Sequence, residues 1–354
     1  MKFEDVLAKA EMEEKLDVSE VFKLLHPASD DERRLLFSAA RHVREREFGS
    51  RMFIYGFVYF STFCQNACSF CLYRHGNPHA TRYRKSPQDV SDTAARLRDD
   101  GVHLIDLTMG EDPFYRSYEG FNSLLDVVNE VRNDLDMPVM ISPGTLPKSE
   151  IRMLSRAGAD WYACYQETHN TELFKQLRPG QDYQVRLYQK KWARECRMLC
   201  EEGVMIGVGE DSQDLLVSLA EMSRIGTQQN RVMSFVPQAG IPLDGPAHRD
   251  VDELTMIAVM RLIMPDRLIP ASLDVEGLDG LKPRLDAGAN VVTSIIPSGS
   301  GLAGVAQHEL DIDSDKRSVD AVRQRLGGMG LSLASRSEYQ NWIDDHRPSC
   351  AGES

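Results

Sequence analysis

The sequence has no stretch that approaches the roughly 18 consecutive apolar residues that a membrane-spanning helix needs. Its first sixteen residues are acidic and amphipathic and lack the apolar core of a signal peptide. Basic residues are also in deficit, because 41 Lys and Arg stand against 54 Asp and Glu for a formal net charge of −13. Nucleic-acid binding needs clustered cations, so this balance argues against such a partner. We therefore expect a cytoplasmic chain with no membrane and no nucleic-acid partner.

Cysteine is sparse, and its distribution is uneven. Seven cysteines in 354 residues is an odd number, and a disulfide framework is not expected in an intracellular chain. Three of them, Cys64, Cys68 and Cys71, lie within eight residues in C-x3-C-x2-C spacing. Metal binding explains that crowding better than packing does, and no second set has comparable spacing. The other four are expected in packing or tail positions: Cys164 on a strand, Cys196 and Cys200 at i,i+4 on one helix, and Cys350 in the tail.

Short apolar runs alternate with longer amphipathic ones along most of the chain, which predicts repeated β-then-α units. The predicted strands are 53–60, 103–109, 138–142, 161–166, 204–208, 231–237, 268–273 and 290–296. The predicted helices between them are 87–100, 120–135, 148–157, 184–202, 211–225 and 251–264. Near-continuous apolar strands covered by helices indicate a parallel sheet, and eight units favour a closed (β/α)8 barrel of the TIM type. A doubly wound open sheet is the alternative.

The predicted organisation has three parts. Residues 1–50 form an N-terminal helical extension, 51–300 form the barrel, and 301–354 form a C-terminal helix and tail that close it. The segment after the last predicted strand is rich in Gly and Ser, and a final helix is expected near 316–326. We expect the N-terminal helices and the Gly-rich segment to enclose the active site.

The three-cysteine loop follows the first predicted strand directly, in the stretch FVYFSTFCQNACSFCLYR. Three thiolates can hold three irons of a [4Fe–4S] cluster and leave the fourth iron without a protein ligand. The open iron can chelate the amino and carboxylate groups of S-adenosyl-L-methionine (SAM) and pass one electron to its sulfonium. The alternative is a structural zinc ion, for which His75 or His79 would have to supply the fourth ligand.

These features resemble the biotin synthase-like branch of the radical SAM enzymes, and more closely the methylornithine synthase family of pyrrolysine biosynthesis. The resemblance covers the chain from its N-terminal helices to its tail. The stretches that carry it are YGFVYFSTFCQNACSFCLYR, LTMGEDP, RVMSFVPQAGIPL, LIPASLDVEGLDGLKPRLDAGANVVTSIIPSG and GLAGVAQHELDID. The cysteine motif is specific only for the superfamily, whereas the last two stretches point to the synthase.

The resemblance implies a lysine mutase. A SAM-derived 5′-deoxyadenosyl radical would take a hydrogen from L-lysine, the carbon chain would break between Cα and Cβ, and the fragments would rejoin at Cγ to give 3-methylornithine. The hydrogen would then return, so that SAM acts as a reusable cofactor, and an external one-electron reductant would be needed. The alternatives are another biotin synthase-like radical SAM reaction, such as hydrogenase cofactor maturation or sulfur insertion, and a non-enzymatic metal module.

The resemblance and the strand ends together suggest a set of residues that bind SAM. Tyr73 stands where the family has an aromatic residue near the adenine, and Glu111 stands in a GGE-like motif whose first glycine is Met109 here. Polar side chains near other strand ends complete the set: Ser142, Glu167 and Arg186. A carboxylate suits the ribose or amino group of SAM, and a guanidinium suits its carboxylate.

Lysine needs a cation for its carboxylate and anions for its two ammonium groups. We expect Arg231 to bind the carboxylate, with Ser234 beside it on the same predicted strand. A carboxylate inside an apolar strand is costly unless a cation meets it. Asp106, together with Ser272 and Asp274, is therefore the candidate for the ammonium sites. The alternative is an internal salt bridge, such as one between Asp106 and Arg231, that involves no ligand.

Overall fold

The structure is a computed structural model that describes residues 2–244, 250–306, 310 and 317–349. Eight parallel strands form its centre. They are β1 (Arg51–Ser61), β2 (Leu104–Met109), β3 (Val139–Ser142), β4 (Trp161–Ala163), β5 (Leu199–Ile206), β6 (Gln229–Ser234), β7 (Pro270–Ser272) and β8 (Val291–Ile295). A ninth strand, β9 (Ser332–Leu333), pairs with the start of β1 outside the barrel. Cys350 and residues 307–309 and 311–316, on which part of the predicted tail falls, lie outside the described residues.

The sheet closes into a barrel. Its strands are ordered β6-β5-β4-β3-β2-β1-β8-β7, which leaves β6 and β7 as the two edges. These edges meet where Asn230 N donates to Leu268 O at 3.0 Å and Leu268 N donates to Gln228 O at 3.0 Å. The predicted (β/α)8 barrel is therefore confirmed, and the open-sheet alternative is wrong.

Helices cover the outside of the barrel. They are α1 (Phe3–Glu11), α2 (Val18–Leu25), α3 (Asp30–Phe48), α4 (Pro87–Asp100), α5 (Tyr118–Asn129), α6 (Lys148–Ala157), α7 (Thr171–Leu177), α8 (Tyr183–Glu195), α9 (Ser212–Ile225), α10 (Glu253–Ile263), α11 (Leu281–Asp286), α12 (Val319–Gly327) and α13 (Arg336–His346). A short 3₁₀ turn, Pro113–Arg116, precedes α5, and a π-turn, Glu130–Asp134, follows it. None of the helices described is both long enough and apolar enough to cross a membrane.

The local signals in the sequence explain where these elements begin and pack. Every residue of β1 after Arg51 is buried, as expected for a strand covered on both faces. Gly56 is needed there, because a Cβ at that position would lie 2.7 Å from the Leu97 side chain of α4. Ser86 begins α4 by accepting a hydrogen bond from Asp89 N, and Gly101 ends it with a φ of 98°.

One predicted helix is wrong at its end. The pattern predicts a helix over 184–202, but α8 ends at Glu195 and β5 begins at Leu199. Arg197, with a φ of 63°, turns the chain between them. Cys196 therefore caps α8, whereas Cys200 lies in β5, so the two do not share a helix. The predicted strand over 204–208 covers only the end of β5, and the first half of the strand was missed because two carboxylates, Glu201 and Glu202, interrupt its apolar pattern.

The N-terminal helices lie on the wall of the barrel and not over its mouth. Helix α3 packs against α10 and α11, and α1 and α2 complete that layer. The Arg44 guanidinium donates to Leu285 O of α11 at 2.7 Å, and His26 meets Ser212 of α9 at 2.8 Å. No described residue of this extension lines the central cavity. The expectation that these helices enclose the site is therefore wrong for the described residues, since their apolar faces are used to cover α10.

Helix α13 closes the opposite end of the barrel. Tyr339 and Ile343 are fully buried in a cluster with residues from the amino ends of the strands, including Phe53, Tyr55 and Trp161. The Tyr339 hydroxyl donates to the Tyr55 hydroxyl at 2.8 Å. The amino ends of the strands are thus sealed, which leaves the carboxyl ends as the open face.

Candidate active site

A cavity of about 290 Å³ lies at the carboxyl ends of the strands, where active sites of such barrels are found. All three cysteines of the motif line it. It also brings together every other candidate from the sequence: Tyr73, Asp106, Glu111, Ser142, Glu167, Arg186, Arg231, Ser234, Ser272 and Asp274. Their convergence on one cavity does not test the individual roles, which stay predictions.

The cysteine loop forms one wall of this cavity. Cys68 is buried, and Cys64 Sγ accepts a hydrogen bond from Asn66 N at 3.4 Å. Burial, together with repulsion by the neighbouring Cys68 and Cys64, raises the pKa of Cys71 to about 12. Three thiolates crowded in an apolar pocket repel one another and need a cationic group to offset their charge. The donor set therefore fits a metal cluster, whose positive irons hold thiolates in their ionised form.

The fit favours a three-ligand cluster over a zinc ion. His75 and His79 are both exposed, and neither lines the cavity. Gly110 packs directly beneath the loop, since a Cβ there would lie 2.2 Å from Phe63 O and 2.9 Å from Cys64 Cβ. The loop is thus held in place by the chain itself.

Glu111 and Arg186 form one connected pair. Arg186 Nη1 donates to Glu111 Oε1 at 3.3 Å, and its Nε donates to Tyr165 O at 2.5 Å. Glu111 also accepts from Thr145 N at 3.2 Å. Gly144, with a φ of 77°, makes room for it, because a Cβ there would lie 2.1 Å from Glu111 Cγ. Arg186 is therefore not a solvated arginine on a helix surface, because its side chain is buried.

Glu167 is held in an unusual backbone conformation. It has a φ of 68°, in the left-handed region that non-glycine residues rarely adopt. Its Oε1 accepts from Arg178 Nη2 at 2.5 Å, and burial raises the pKa of this carboxyl. Such conformations persist where the surroundings over-determine them and are frequent at functional sites.

Tyr73 and Ser142 complete the predicted SAM-binding set. The Tyr73 hydroxyl donates to Gly304 O at 3.0 Å, and its ring packs edge-on against Tyr59 at 5.1 Å between centroids. Burial raises the pKa of Tyr73. Ser142 ends β3 and is half-buried.

Arg231 meets a partner that sequence reasoning missed. Its Nε donates to Glu201 Oε1 at 2.8 Å, and its Nη1 donates to Thr293 Oγ1 at 3.1 Å. The Tyr165 hydroxyl donates to the other oxygen of Glu201 at 2.7 Å. Arg231 therefore does form an internal salt bridge, as the alternative expected, but its partner is Glu201 and not Asp106.

Asp106 lies near this pair but forms no salt bridge with any of the described residues. It accepts from the Thr108 hydroxyl at 2.8 Å. Burial, and then repulsion by Glu201, raise its pKa to about 7. The floor of the cavity is thus formed by Asp106 and Arg231, with Glu201 buried against Arg231 and outside the lining. Two carboxyl groups beside one guanidinium suit a ligand with more positive than negative charge.

The remaining candidates lie at the ends of β6 and β7. The Ser234 hydroxyl donates to Glu253 Oε2 at 2.8 Å, and Ser272 pairs with Ser294 at 3.1 Å. Asp274 Oδ1 accepts from Arg317 Nη1 at 3.1 Å, and its Oδ2 accepts from Ala306 N. Asp274 is therefore already engaged with the C-terminal part of the chain, which was not foreseen.

Sequence reasoning missed several residues that line the cavity or bind the side chains that line it. They are Glu201, Arg178, Gln181 and Arg317. The first had a detectable signal, since a Glu pair within the otherwise apolar LCEEGVMI requires buried partners. Glu202 finds its partner in the buried Lys190 at 2.6 Å. The other three lie in loops, where periodicity carries no information about which residue they meet.

The Radical SAM superfamily matches residues 58–221 of this chain. The chain is 42% identical over 318 residues to the 3-methylornithine synthase of Methanosarcina acetivorans, covering 90% of each. It is 43% identical over 306 residues to that of Methanosarcina barkeri, covering 86% of this chain and 87% of the other. The [FeFe] hydrogenase maturase subunit HydE of Thermotoga maritima is 29% identical over 261 residues, covering 73% and 74%. The crystal structure of methylornithine synthase (PylB) superposes with a TM-score of 0.89 at 40% identity, covering 95% of this chain and 99% of the other.

Proposed function

Since the chain belongs to the 3-methylornithine synthase family of the radical SAM superfamily, we propose that it rearranges the carbon skeleton of L-lysine to give 3-methylornithine. Its cofactors are a [4Fe–4S] cluster and SAM. When bound, they supply the 5′-deoxyadenosyl radical that takes a hydrogen atom from the substrate. Cys64, Cys68 and Cys71 would hold the cluster. The greater similarity to the synthases than to the hydrogenase maturase supports this reaction over cofactor maturation.

The observation that carries the substrate assignment is the charge at the cavity floor. Asp106 and Arg231 line this floor, and the charge of Arg231 is already offset by the buried Glu201, so ionised Asp106 leaves one negative charge in excess. L-lysine carries two ammonium groups and one carboxylate, which is the complementary balance. Arg231 would bind the substrate carboxylate through the nitrogen not used by Glu201 or Thr293. Asp106 would accept an ammonium group, since a buried carboxylate is stabilised by an added cation.

SAM would lie between the cysteine loop and the ends of β2 to β4. Arg186, held by Glu111, suits the SAM carboxylate, because a guanidinium binds carboxylates through two parallel hydrogen bonds. Glu167 suits the amino or ribose hydroxyl groups, since its Oε2 has no hydrogen-bond partner among the described residues. Tyr73 would pack beside the adenine, and Ser142 offers a hydroxyl at the end of β3.

The segment 302–306 would exclude water from the reaction. Tyr83 Oη accepts from Ala303 N at 3.0 Å, and Gln238 Nε2 donates to Ala306 O at 2.6 Å. Asp274 accepts from Ala306 N, and Tyr73 donates to Gly304 O. These four contacts hold the segment against the cavity, where Val305 and Ala306 line it. An enclosed site keeps reactive fragments from stray hydrogen donors until they recombine.

Anaerobic incubation of the reconstituted protein with SAM, dithionite and L-lysine tests the proposal. We expect a product with the mass of lysine but a different chromatographic retention, formed without stoichiometric loss of SAM. The Asp106→Asn variant should still cleave SAM but form far less product, because it lacks the carboxylate proposed to bind an ammonium group of lysine. Uncoupled 5′-deoxyadenosine with untouched lysine in the unmodified protein would overturn the substrate and keep the radical SAM chemistry.

A further inference from the structure

Two side chains from the loop between α7 and α8 donate to the sulfur of Cys68. Gln181 Nε2 lies 3.1 Å from Cys68 Sγ, and Arg178 Nη1 lies 3.5 Å from it. The Gln181 carbonyl accepts from both Arg178 and Arg186 at 3.4 Å, which turns its amide nitrogen toward the sulfur. The orientation of the amide is therefore determined by its neighbours, since the reverse orientation would set donors against donors.

Arg178 joins the cluster ligand to the predicted SAM-binding carboxylate. Its Nη2 donates to Glu167 Oε1 at 2.5 Å while its Nη1 faces Cys68 Sγ. Both Arg178 and Glu167 are buried, at 6% and 4% exposed. A guanidinium can bridge the two groups because its donors form a rigid fork, whereas a lysine ammonium acts as a point charge.

This arrangement is built into the fold. Ser69 N donates to Leu177 O at 2.8 Å, which ties the cysteine loop to the end of α7. Arg178 N in turn donates to Phe174 O at 2.8 Å, and the Arg178 guanidinium lies 5.2 Å from the centre of the Phe70 ring. Phe70 itself belongs to the cysteine loop. The guanidinium is thus positioned from both sides.

Donors to a ligating sulfur and nearby positive charge raise the reduction potential of an iron–sulfur cluster, because the reduced form carries one more negative charge. We propose that Arg178 and Gln181 are positioning residues that raise the potential of the cluster through Cys68, and that Glu167 counteracts Arg178. This inference rests on the proposed function only in that Cys68 ligates the cluster. It does not depend on the identity of the substrate.

Because Arg178 contacts both Cys68 and Glu167, two substitutions should shift the reduction potential of the cluster in opposite directions. Arg178→Met removes a donor and a positive charge, so the reduced cluster loses stabilisation and the potential falls. Glu167→Gln removes a negative charge and leaves the guanidinium to act on the cluster alone, so the potential rises. A purely structural role predicts no such opposition, because loosening the loop from either side would move the potential in the same direction.

The test is a redox titration of the reconstituted protein, followed by the EPR signal of the reduced cluster, with and without SAM. The variants are Arg178→Met, Arg178→Lys, Gln181→Leu and Glu167→Gln. The matched control is Lys175→Met, which removes a positive charge three residues before Arg178 from an exposed side chain paired with Glu172. Iron and sulfide content is measured for each.

We expect Arg178→Met to make reduction at least tenfold less favourable, which is a fall of about 59 mV for a one-electron couple. The reduction potential should fall by less in Arg178→Lys and Gln181→Leu and should rise in Glu167→Gln. In Lys175→Met it should equal that of the unmodified protein. The shift that SAM causes should shrink in Arg178→Met, because the link from Glu167 to Cys68 is broken.

Unshifted potentials in Arg178→Lys and Gln181→Leu would overturn the inference, as would a shift of the same sign in Arg178→Met and Glu167→Gln. If Arg178→Met fails to hold a cluster, the potentials of Arg178→Lys and Gln181→Leu test the inference in its place. An unmodified protein that binds no cluster would instead overturn the proposed function. If the protein holds a cluster but does not convert lysine, the redox test of Arg178 and Gln181 still applies.

Discussion

Inside the barrel, the Arg231 guanidinium donates to Glu201 Oε1 at 2.8 Å, and Glu201 is fully buried. Arg231 lies on β6 and Glu201 on β5, and the Tyr165 hydroxyl donates a hydrogen bond to the second carboxylate oxygen of Glu201. The arginine that we propose for the substrate carboxylate is therefore neutralised and oriented before any substrate binds. That relationship leaves Asp106 as the carboxylate free to meet a substrate cation.

Breaking the Glu201–Arg231 pair from either side should destabilise the protein. Removing one partner of a buried pair leaves an uncompensated charge and costs about 3–5 kcal/mol. We therefore expect Glu201→Met and Arg231→Met each to lower the free energy of unfolding by that amount in urea denaturation of the apoprotein. The double variant should lose much less than the sum, because no charge is left unpaired. Additive losses would contradict the pairing.

Asp106 should make substrate binding depend on pH. Its carboxyl has a pKa of about 7, and an ammonium group binds the ionised form. The KM for lysine should therefore fall as pH rises from about 6 to about 8, as Asp106 loses its proton. Asp106→Asn should raise KM roughly 10- to 100-fold, as expected for a lost charged hydrogen bond, and remove this pH dependence. A pH dependence that persists in Asp106→Asn would assign the titration to another group.

The same pKa shift bears on stability. A carboxyl group with a pKa raised by folding keeps its proton in the folded state at pH values where the unfolded chain has lost it. The contribution of Asp106 to stability is thus full below its unfolded pKa of about 4 and is lost as pH rises toward about 7. We expect Asp106→Asn to stabilise the apoprotein at pH 8 relative to the unmodified protein, measured by urea denaturation. At pH 4 the two proteins should be alike, and a constant difference across this range would contradict the shift.

Loss of Cys68 should abolish SAM cleavage. Cys68→Ala leaves two thiolate ligands, Cys64 and Cys71, which cannot hold three irons of the cluster. Iron content and 5′-deoxyadenosine formation with dithionite are the measurements. Cys196→Ala is the control, because Cys196 caps α8 and does not line the cavity. Retained cleavage in Cys68→Ala would refute the ligand assignment.

Asp274 and Arg317 should act together in closing the cavity. Asp274→Ala and Arg317→Met each remove the ion pair between the loop that follows β7 and the C-terminal part of the chain. We expect both to lower product formation and increase uncoupled 5′-deoxyadenosine while iron content is unchanged, with Asp274→Ala raising the KM for lysine as well. Arg323→Met is the control, since Arg323 is an exposed residue of α12 paired with Asp320. Equal loss of turnover and iron in Asp274→Ala would make that residue structural.

The barrel could be predicted because its signal is local and repeated. Eight apolar runs separated by amphipathic stretches favour a parallel sheet at every unit, so errors at single boundaries do not change the outcome. The error at β5 shows the limit of this reasoning. Hydropathy predicts Glu201 and Glu202 to be surface residues, because it treats carboxylates as exposed. It carries no information about Arg231 and Lys190, which pair with these carboxylates from other elements.

The (β/α)8 architecture, the cysteine motif and the family could be inferred from the sequence, since each depends on residue patterns along the chain. Which charges pair became known from the three-dimensional fold. It placed Glu201 with Arg231, Arg178 between Cys68 and Glu167, and α13 beneath the barrel. The physical reason is that a buried charge is tolerated only beside its partner, and partners such as Glu201 and Arg231 are 30 residues apart in the chain but 2.8 Å apart in the fold.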